Sequence, residues 1–574
     1  MRKAIGAPAP RPSLTGEPPV AESEKPTRTL VNIAGIVAAA TLISKLFGLF
    51  RQQAIAAAFG VGPAFGAFNF AYVIPGFLLI LLGGINGPFH SAIVSVLSKH
   101  QREDAGAIVE TITTLVVGIL LLITIGLVMF AEPMMRITAP GLFVSLEQFQ
   151  AAGQSVDTYA TLELTRAIAI EQFRIMAPLA VLAGLIGIGF GSLNASDQYW
   201  LPSISPIFSS LSVILGLGGL AFYLGGNITR PENAILGGSV LAWSIVAGAV
   251  LQWLAQIPAQ WQAGLGRLRL RFNFNQPEVK AVLRIMAPAT FSSGMMQINV
   301  WTDLFFASFI PNAAAAVSAM GYAGLLVQTP LGILSNVILV PLLPVFSRLA
   351  APGQRDELKT RIRQGLIVTA ITMLPISALM IALAVPISRV VYERYAFTEE
   401  DSFLTASVLI AYAVGMFVYL GRDVLVRVFY GLGDGNTPFR ISVANIVVNV
   451  VLDALLVGPY GAVGLVLATV GVNITSMLAM LWVLNRRLQG LPLRQWSVVT
   501  LGLTLGSVGT GFAAWGVLRL SQQWLGRSGF GIQLVQIALA SGVGLGVFAL
   551  VALQLRLPEV DLLVTRVRQR VLRR

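Results

Sequence analysis

The chain has 574 residues, 55% of them hydrophobic and only 11% charged, with a mean hydropathy of +0.77 and a net charge of +13. Soluble domains carry about 25% charged residues, so the composition excludes a soluble globular protein, and the basic excess is scattered over short loops rather than gathered for nucleic acid. There is no cysteine, and His90 and His100 are the only histidines, which excludes disulfides, thiol catalysis and multi-histidine metal centres.

Residues 1–29 are rich in Pro, Glu, Lys and Arg without an apolar run, so a disordered cytoplasmic tail is expected and not a signal peptide. Beyond it, apolar runs of about 20 residues predict about fourteen membrane-spanning helices, an all-α polytopic fold. They lie near 32–58, 65–97, 105–131, 167–193, 201–223, 236–256 and 281–310. The rest lie near 313–345, 364–388, 403–430, 439–457, 461–485, 496–518 and 531–554. The second and eighth are overlong and are expected to be broken, at Pro75, Gly83, Gly84 and Pro88 and at Pro330 and Pro341. Interrupted helices suit transporters whose backbone lines a cavity.

Span one contains Ser44-Lys45-Leu46-Phe47-Gly48-Leu49-Phe50-Arg51-Gln52-Gln53. A cation inside a span costs roughly 2.5–3.5 kcal/mol, so Lys45 and Arg51 need a wet cavity, a partner or an interface to snorkel to. At about 100° per residue, Lys45 and Gln52 share a stripe and Arg51 lies about 120° away, with Gly48 free to bend the helix between them. The functional reading is a cationic wall that meets an anionic solute; the plain one is snorkelling.

Spans two and eight resemble each other, from Pro75 through Lys99 to Arg102-Glu103-Asp104 and from Pro330 through Arg348 to Arg355-Asp356-Glu357. Two parallel halves are therefore expected: an N-terminal six-helix lobe over 30–260 and a C-terminal six-helix lobe over 261–490. Two further helices over 491–556 and a basic cytoplasmic tail over 557–574 follow. Loop charge sets the orientation. Clusters such as Arg267, Arg269, Arg271 and Lys280, or Arg348, Arg355, Lys359, Arg361 and Arg363, mark the inside, and the acidic loops with Glu132, Glu147, Asp157 and Glu163 or Glu393, Glu399, Glu400 and Asp401 mark the outside. Both termini are then cytoplasmic.

Span eleven carries Asn445, Asn449 and Asp453 at i, i+4 and i+8, on one helix face. Thr469 and Asn473 in span twelve and Asp303 in span seven add oxygens of the kind a hard cation prefers. Helix–helix glue is the competing reading. His90, Glu110 and Glu171 read as structural polar groups, and Arg422 and Asp423 as a local pair. Gly431-Leu432-Gly433-Asp434-Gly435 has neither a βαβ unit nor a following Gly-Lys-Ser/Thr, so it is a loop and no enzyme is expected.

The sequence resembles the MurJ/MviN family of lipid II flippases, in the superfamily that also holds MATE drug exporters. The residues that carry this are 44–51 in span one, Ile137-Thr138-Ala139-Pro140-Gly141, Pro288, Phe306-Ala307-Ser308-Phe309, Pro341-Leu342-Leu343-Pro344 and above all Phe429-Tyr430-Gly431-Leu432-Gly433-Asp434-Gly435-Asn436-Thr437-Pro438. The resemblance implies fourteen helices, with the last two forming a groove for a lipid tail. It also implies a substrate, undecaprenyl-pyrophosphate bearing a disaccharide-pentapeptide, moved from the inner to the outer leaflet of a bacterial cytoplasmic membrane for cell-wall synthesis. Arg51 and Lys45 take the places of family cavity arginines. Departures stand at Gly66, where the family has an acid, and at Leu78–Leu82 and Leu325, where it has arginines. Gln52, Asn86, Gln297 and Gln328 are the polar groups left to complete the cavity. The resemblance further implies a sodium site at Asp303, Asn449, Asp453 and Thr469 with a backbone carbonyl near Leu465, and no other cofactor. Alternatives are export of another lipid-linked glycan or a drug, or a non-transporting scaffold for cell-wall enzymes.

Overall fold

The computed structural model describes residues 25–84, 87–97, 102–267, 269–295, 297–351, 353–526, 529–555 and 559. Every regular element among them is an α- or 3-10 helix. Nine helices among the described residues are long and apolar enough to cross a membrane, or up to eleven when each of two bent pairs counts as one span. The fourteen expected ranges all fall on helices or across helix breaks, but several are divided: 65–97 into Pro63–Gly83 and Pro88–Leu97, and 281–310 into Pro277–Met295 and Ile298–Ala307.

Two details differ from expectation and one agrees with it. The first helix, Lys25–Phe59, starts inside the stretch assigned to the tail and runs through Gly48 unbroken, because a glycine lowers helix propensity without removing a hydrogen bond. Span two breaks where expected, with Gly84 in an extended conformation. Span eight does not break: Ala313–Arg348 is one helix despite Pro330, Pro341 and Pro344. A proline deletes one N–H, and neighbouring helices absorb that loss inside a membrane.

Spans eleven and twelve form a single hydrogen-bonded run, Asn436–Arg487, with a non-helical residue at Gly461 (φ 54°, ψ −131°). A straight helix would put Asp434 and Arg487 roughly 80 Å apart; instead Arg487 Nη1 lies 2.6 Å from Asp434 Oδ2. The chain therefore reverses at Pro459-Tyr460-Gly461, and glycine is needed there because φ is positive. At the other end, the Asp434 carboxylate accepts from the Thr437 hydroxyl (2.7 Å) and amide (3.0 Å), which closes the start of the hairpin.

The helices gather in two groups and a pair. In the first group, Leu179–Ala195, rich in Gly and Ala and buried along nearly its whole length, takes Pro63–Gly83, Pro88–Leu97, Arg102–Met129 and Ala234–Gln262 around it. Small residues permit this close approach where lipid supplies no hydrophobic drive between helices. In the second group, Ala313–Arg348, Arg355–Ala382, Glu399–Val414, Met416–Gly431 and the hairpin pack on one another. Leu493–Leu525 and Phe530–Gln554 pair together and lean on Arg355–Ala382. Exposed apolar side chains such as Leu122, Leu215, Leu505 and Phe512 face where lipid would be.

The groups meet tightly at the face that carries the acidic loops 131–166 and 389–401. The Tyr322 hydroxyl donates to the Gly60 carbonyl (2.8 Å), the Ala396 amide to the Ala57 carbonyl (3.1 Å), and the Gly141 amide to Ser308 Oγ (2.9 Å). Phe65 packs on Tyr322 with ring centroids 4.8 Å apart. A Cβ on Gly66 would come within 2.4 Å of Ala314 Cα, so the helices touch backbone to backbone. At about 1 kcal/mol per hydrogen bond and for the ring pair, these contacts sum to about 4 kcal/mol. Toward the opposite, basic-loop face, Pro277–Met295 from span seven leans on Pro88–Leu97, while its continuation Ile298–Ala307 packs on the hairpin.

Candidate functional site

Two charged regions lie within the helical body. The first is span one below the seam. Ile55 and Ala56 are buried in it, whereas Leu42, Ile43, Lys45, Leu46 and Phe50 are exposed. The Lys45 ammonium reaches across to Ala313–Arg348, where a Cβ on Gly332 would come within 2.9 Å of Nζ. Gln328, one turn away on that helix, is exposed. Arg51 is half-buried, and its electrostatic neighbour is Tyr72 on Pro63–Gly83. Among the described residues Arg51 has no carboxylate partner. Gln52 is buried and so leaves the exposed stripe that begins at Lys45. Gln297 is half-buried at the break in span seven, immediately before Ile298–Ala307. Asn86 lies outside the described residues.

The second region is acidic and sits inside the second helix group. Asn449 Nδ2 donates to Asp303 Oδ1 (3.2 Å) and to Asp453 Oδ2 (2.7 Å), and Thr469 Oγ1 donates to Asp303 Oδ2 (3.1 Å). The hairpin makes this possible: Asn449 and Thr469 would be about 30 Å apart on a straight helix, yet both bond Asp303. Asp453 and Leu465 are fully buried and Asn449 nearly so. Asp453 Oδ1 has no hydrogen-bond partner. With an unpartnered carboxylate oxygen, a second carboxylate, a hydroxyl and an amide that offers its oxygen once rotated, the cluster can supply the oxygen donors that fit a hard monovalent cation. The four side chains named from sequence are thus brought together. No group of three or more Asp, Glu, His or Cys placed to hold one metal ion occurs among the described residues, so a multi-carboxylate divalent site is not formed there.

The polar residues read as structural are all engaged. His90 bonds Asn194 (2.7 Å), Glu171 accepts from Ser239 (2.7 Å), and Glu110 accepts from Arg271 Nε (2.5 Å) and the Arg267 amide (2.7 Å). Arg422 Nη1 lies 3.5 Å from Asp423 Oδ1. On the acidic-loop face the arginines are held locally: Arg136 by Glu132, Arg166 by Glu163, Arg389 by Glu399 and Glu393, and Arg394 by the Val390 and Val391 carbonyls. Sequence reasoning missed the seam glycines, whose signal was the unexpected Gly66 itself, and missed Tyr72 and Asn299.

A family model described as lipid II flippase MurJ matches residues 55–555. The probable lipid II flippase MurJ of Synechocystis sp. is 54% identical over 545 residues, covering 95% of this chain and 98% of that protein. Its counterpart from Vibrio cholerae is 28% identical over 542 residues, covering 92% and 97%. Among solved structures, an inward closed conformation of lipid II flippase MurJ superposes with a TM-score of 0.68 at 22% identity, covering 90% of this chain and 97% of that one. An inward-facing MATE multidrug transporter gives 0.56 at 16% identity, covering 79% and 98%. At those identities the two structures speak for the fold alone.

Proposed function

The chain belongs to the lipid II flippase MurJ family, and from that membership we propose that it moves undecaprenyl-pyrophosphate-linked peptidoglycan precursor from the inner to the outer leaflet of a bacterial cytoplasmic membrane. The observation that carries the reading is Arg51, a half-buried guanidinium on a membrane helix with no carboxylate partner among the described residues, beside a seam that two helix groups can open or close. A pyrophosphate supplies the missing charge, and a guanidinium can bind it through two parallel hydrogen bonds. Lys45 adds a second positive charge on the exposed side of the same helix.

The lobes would alternate about the seam. With the acidic-loop face outside, the seam closes the outer side, and the cationic stretch of span one lies on its inner side. Contacts worth about 4 kcal/mol are of the size a substrate can overturn by binding one state better than the other. The acidic-loop face is assigned outward, and both termini inward, on the loop-charge bias. The experiment is depletion and complementation: in cells lacking their own flippase, the chain should restore precursor to the outer leaflet, read by its accessibility to an externally added enzyme that cleaves it. Accumulation in the inner leaflet despite normal abundance would leave the scaffold reading.

The acid cluster is read as a sodium site, held by Asp303, Asn449, Asp453 and Thr469 with the Leu465 carbonyl as a further candidate. A bound cation would keep two neighbouring carboxylates ionised. Sodium should stabilise the purified protein against heat where potassium does not, and Asp453→Asn should remove the effect. Stability that follows pH and ignores sodium would make the pair a proton carrier.

A further inference from the structure

Three members of the acid cluster are each followed, one turn nearer the basic-loop face, by an asparagine. Asn299 precedes Asp303 in span seven, Asn445 precedes Asn449 in span eleven, and Asn473 follows Thr469 in span twelve, which runs the other way. Four residues rise about 6 Å, so the three amides form one layer beneath the cluster. They line a single cavity of about 120 Å³ together with Ser442, Ser476 and Arg422. Asn299 Oδ1, Ser476 Oγ and Arg422 Nε are buried there without a hydrogen-bond partner. Buried polar atoms are nearly always bonded to protein or water, and a polar cavity of this volume accommodates several waters.

A second cavity, of about 140 Å³, shares Arg422 and Ser442 with the first and is also lined by Asp423, Tyr430, Gly435 and Pro438. Its far end is the 431–438 loop on the basic-loop face, where Tyr430 is exposed. One turn from the cluster in the opposite direction stand Ala307, Val457 and Leu465, all apolar. Along these three spans the polar line therefore runs to one side only, and Arg422 lines both of its cavities.

We propose that these two cavities are the path by which a small monovalent cation reaches the acid cluster from the basic-loop face, with Arg422 as the charge barrier that sets the rate. The inference rests on the cation-site reading above and adds its route and its control. The amides and hydroxyls offer a desolvating cation successive oxygens. The Arg422 guanidinium, already paired with Asp423 through Nη1 at 3.5 Å, leaves its buried Nε unpartnered and repels a cation in the first cavity.

The chain has no cysteine, so single cysteines report cleanly. Silver ion is a monovalent cation close to sodium in size that bonds a thiolate, and its uptake is read as lost maleimide labelling after denaturation. In full-length protein in vesicles, Ser476→Cys should be blocked by silver applied at the basic-loop face and not at the acidic-loop face. Adding Arg422→Gln should raise that rate about tenfold, the effect of one unit charge about 10 Å away at an effective dielectric of about 20. Tyr430→Cys, at the exposed mouth where solvent screens the charge, should gain clearly less from loss of Arg422 than Ser476→Cys does. Asn473→Cys serves if Ser476→Cys does not fold, and each variant must keep sodium-dependent stabilisation. Reaction from the acidic-loop face only, or from neither while sodium still stabilises, overturns the path. An unchanged rate in the Arg422→Gln background overturns the barrier. Absence of sodium stabilisation in the parent chain instead removes the cation site, and the path with it.

Discussion

Span one and the acid cluster solve the same physical problem in opposite ways. Each places charge where hydrocarbon cannot solvate it. Arg51 and Lys45 have no carboxylate partner among the described residues, and span one is exposed around Lys45. Asp453 is fully buried and Asp303 half-buried, as Arg51 is, but the two acids share hydrogen bonds through Asn449 and leave only Asp453 Oδ1 unpartnered. Charge without a carboxylate partner suits a large anion that must enter and leave. Charge tied into hydrogen bonds within one helix group suits a small ion that can be stripped of water. On the proposed reading the two regions divide the work: span one presents a counter-charge for the substrate, and the second helix group holds a compact site tied together by its own hydrogen bonds.

The change expected to break this division most severely is Arg51→Ala. Removing one partner of a desolvated charge pair costs roughly 3 kcal/mol, about 100-fold in affinity, so complementation should fail while membrane abundance stays normal. Wild-type growth with Arg51→Ala would leave Arg51 as a snorkelling residue and end the contrast. Nearly as large is Gly66→Leu, which drives a side chain into Ala314 at the seam. The closed acidic-loop face should not form, and growth should be lost without loss of sodium stabilisation, since the acid cluster lies within one lobe. Loss of both together would show that the two regions are mechanically one.

A smaller effect, confined to the other region, is expected of Asp453→Asn. It should abolish the sodium-dependent rise in melting temperature and leave precursor binding measurable. Arg51→Lys should be milder than Arg51→Ala, retaining charge but losing the planar fork, and partial growth is the outcome to look for. The least effect is expected at Asp434, which belongs to neither region. The Thr437 hydroxyl, then the Thr437 amide and Arg487, hold its carboxyl below the ordinary carboxylate range. A depressed pKa contributes stability above the unfolded value near 4, and that contribution disappears as pH falls through the folded value. Asp434→Asn should therefore lower the melting temperature slightly at neutral pH, and the difference should fade on acidification below about pH 4. A difference that persists at low pH would assign the effect to hairpin geometry rather than charge.

Much of this was legible in the residues. Apolar runs gave the helices because a bilayer demands about 20 residues per crossing whatever surrounds them. The i, i+4 spacing of Asn449 and Asp453 put both oxygens on one helix face, since that is a property of any α-helix. The resemblance carried by 429–438 fixed the family. Other features depended on which helices face one another, and local spacing does not contain that. Asp303 meets Thr469 only because the chain reverses at Gly461. Gly66 looked like a missing acid and is a point of backbone contact with Ala314, a relation between residues almost 250 apart in sequence. Span eight looked broken by its prolines and is continuous, because packing decides whether a lost hydrogen bond ends a helix. Sequence by itself determined the helices, their apolar faces and which charges stand inside the membrane, all governed by local periodicity and transfer cost. Only the tertiary structure decided which of those charges gain partners and which stand without a carboxylate, because that depends on side chains from distant spans converging or staying apart.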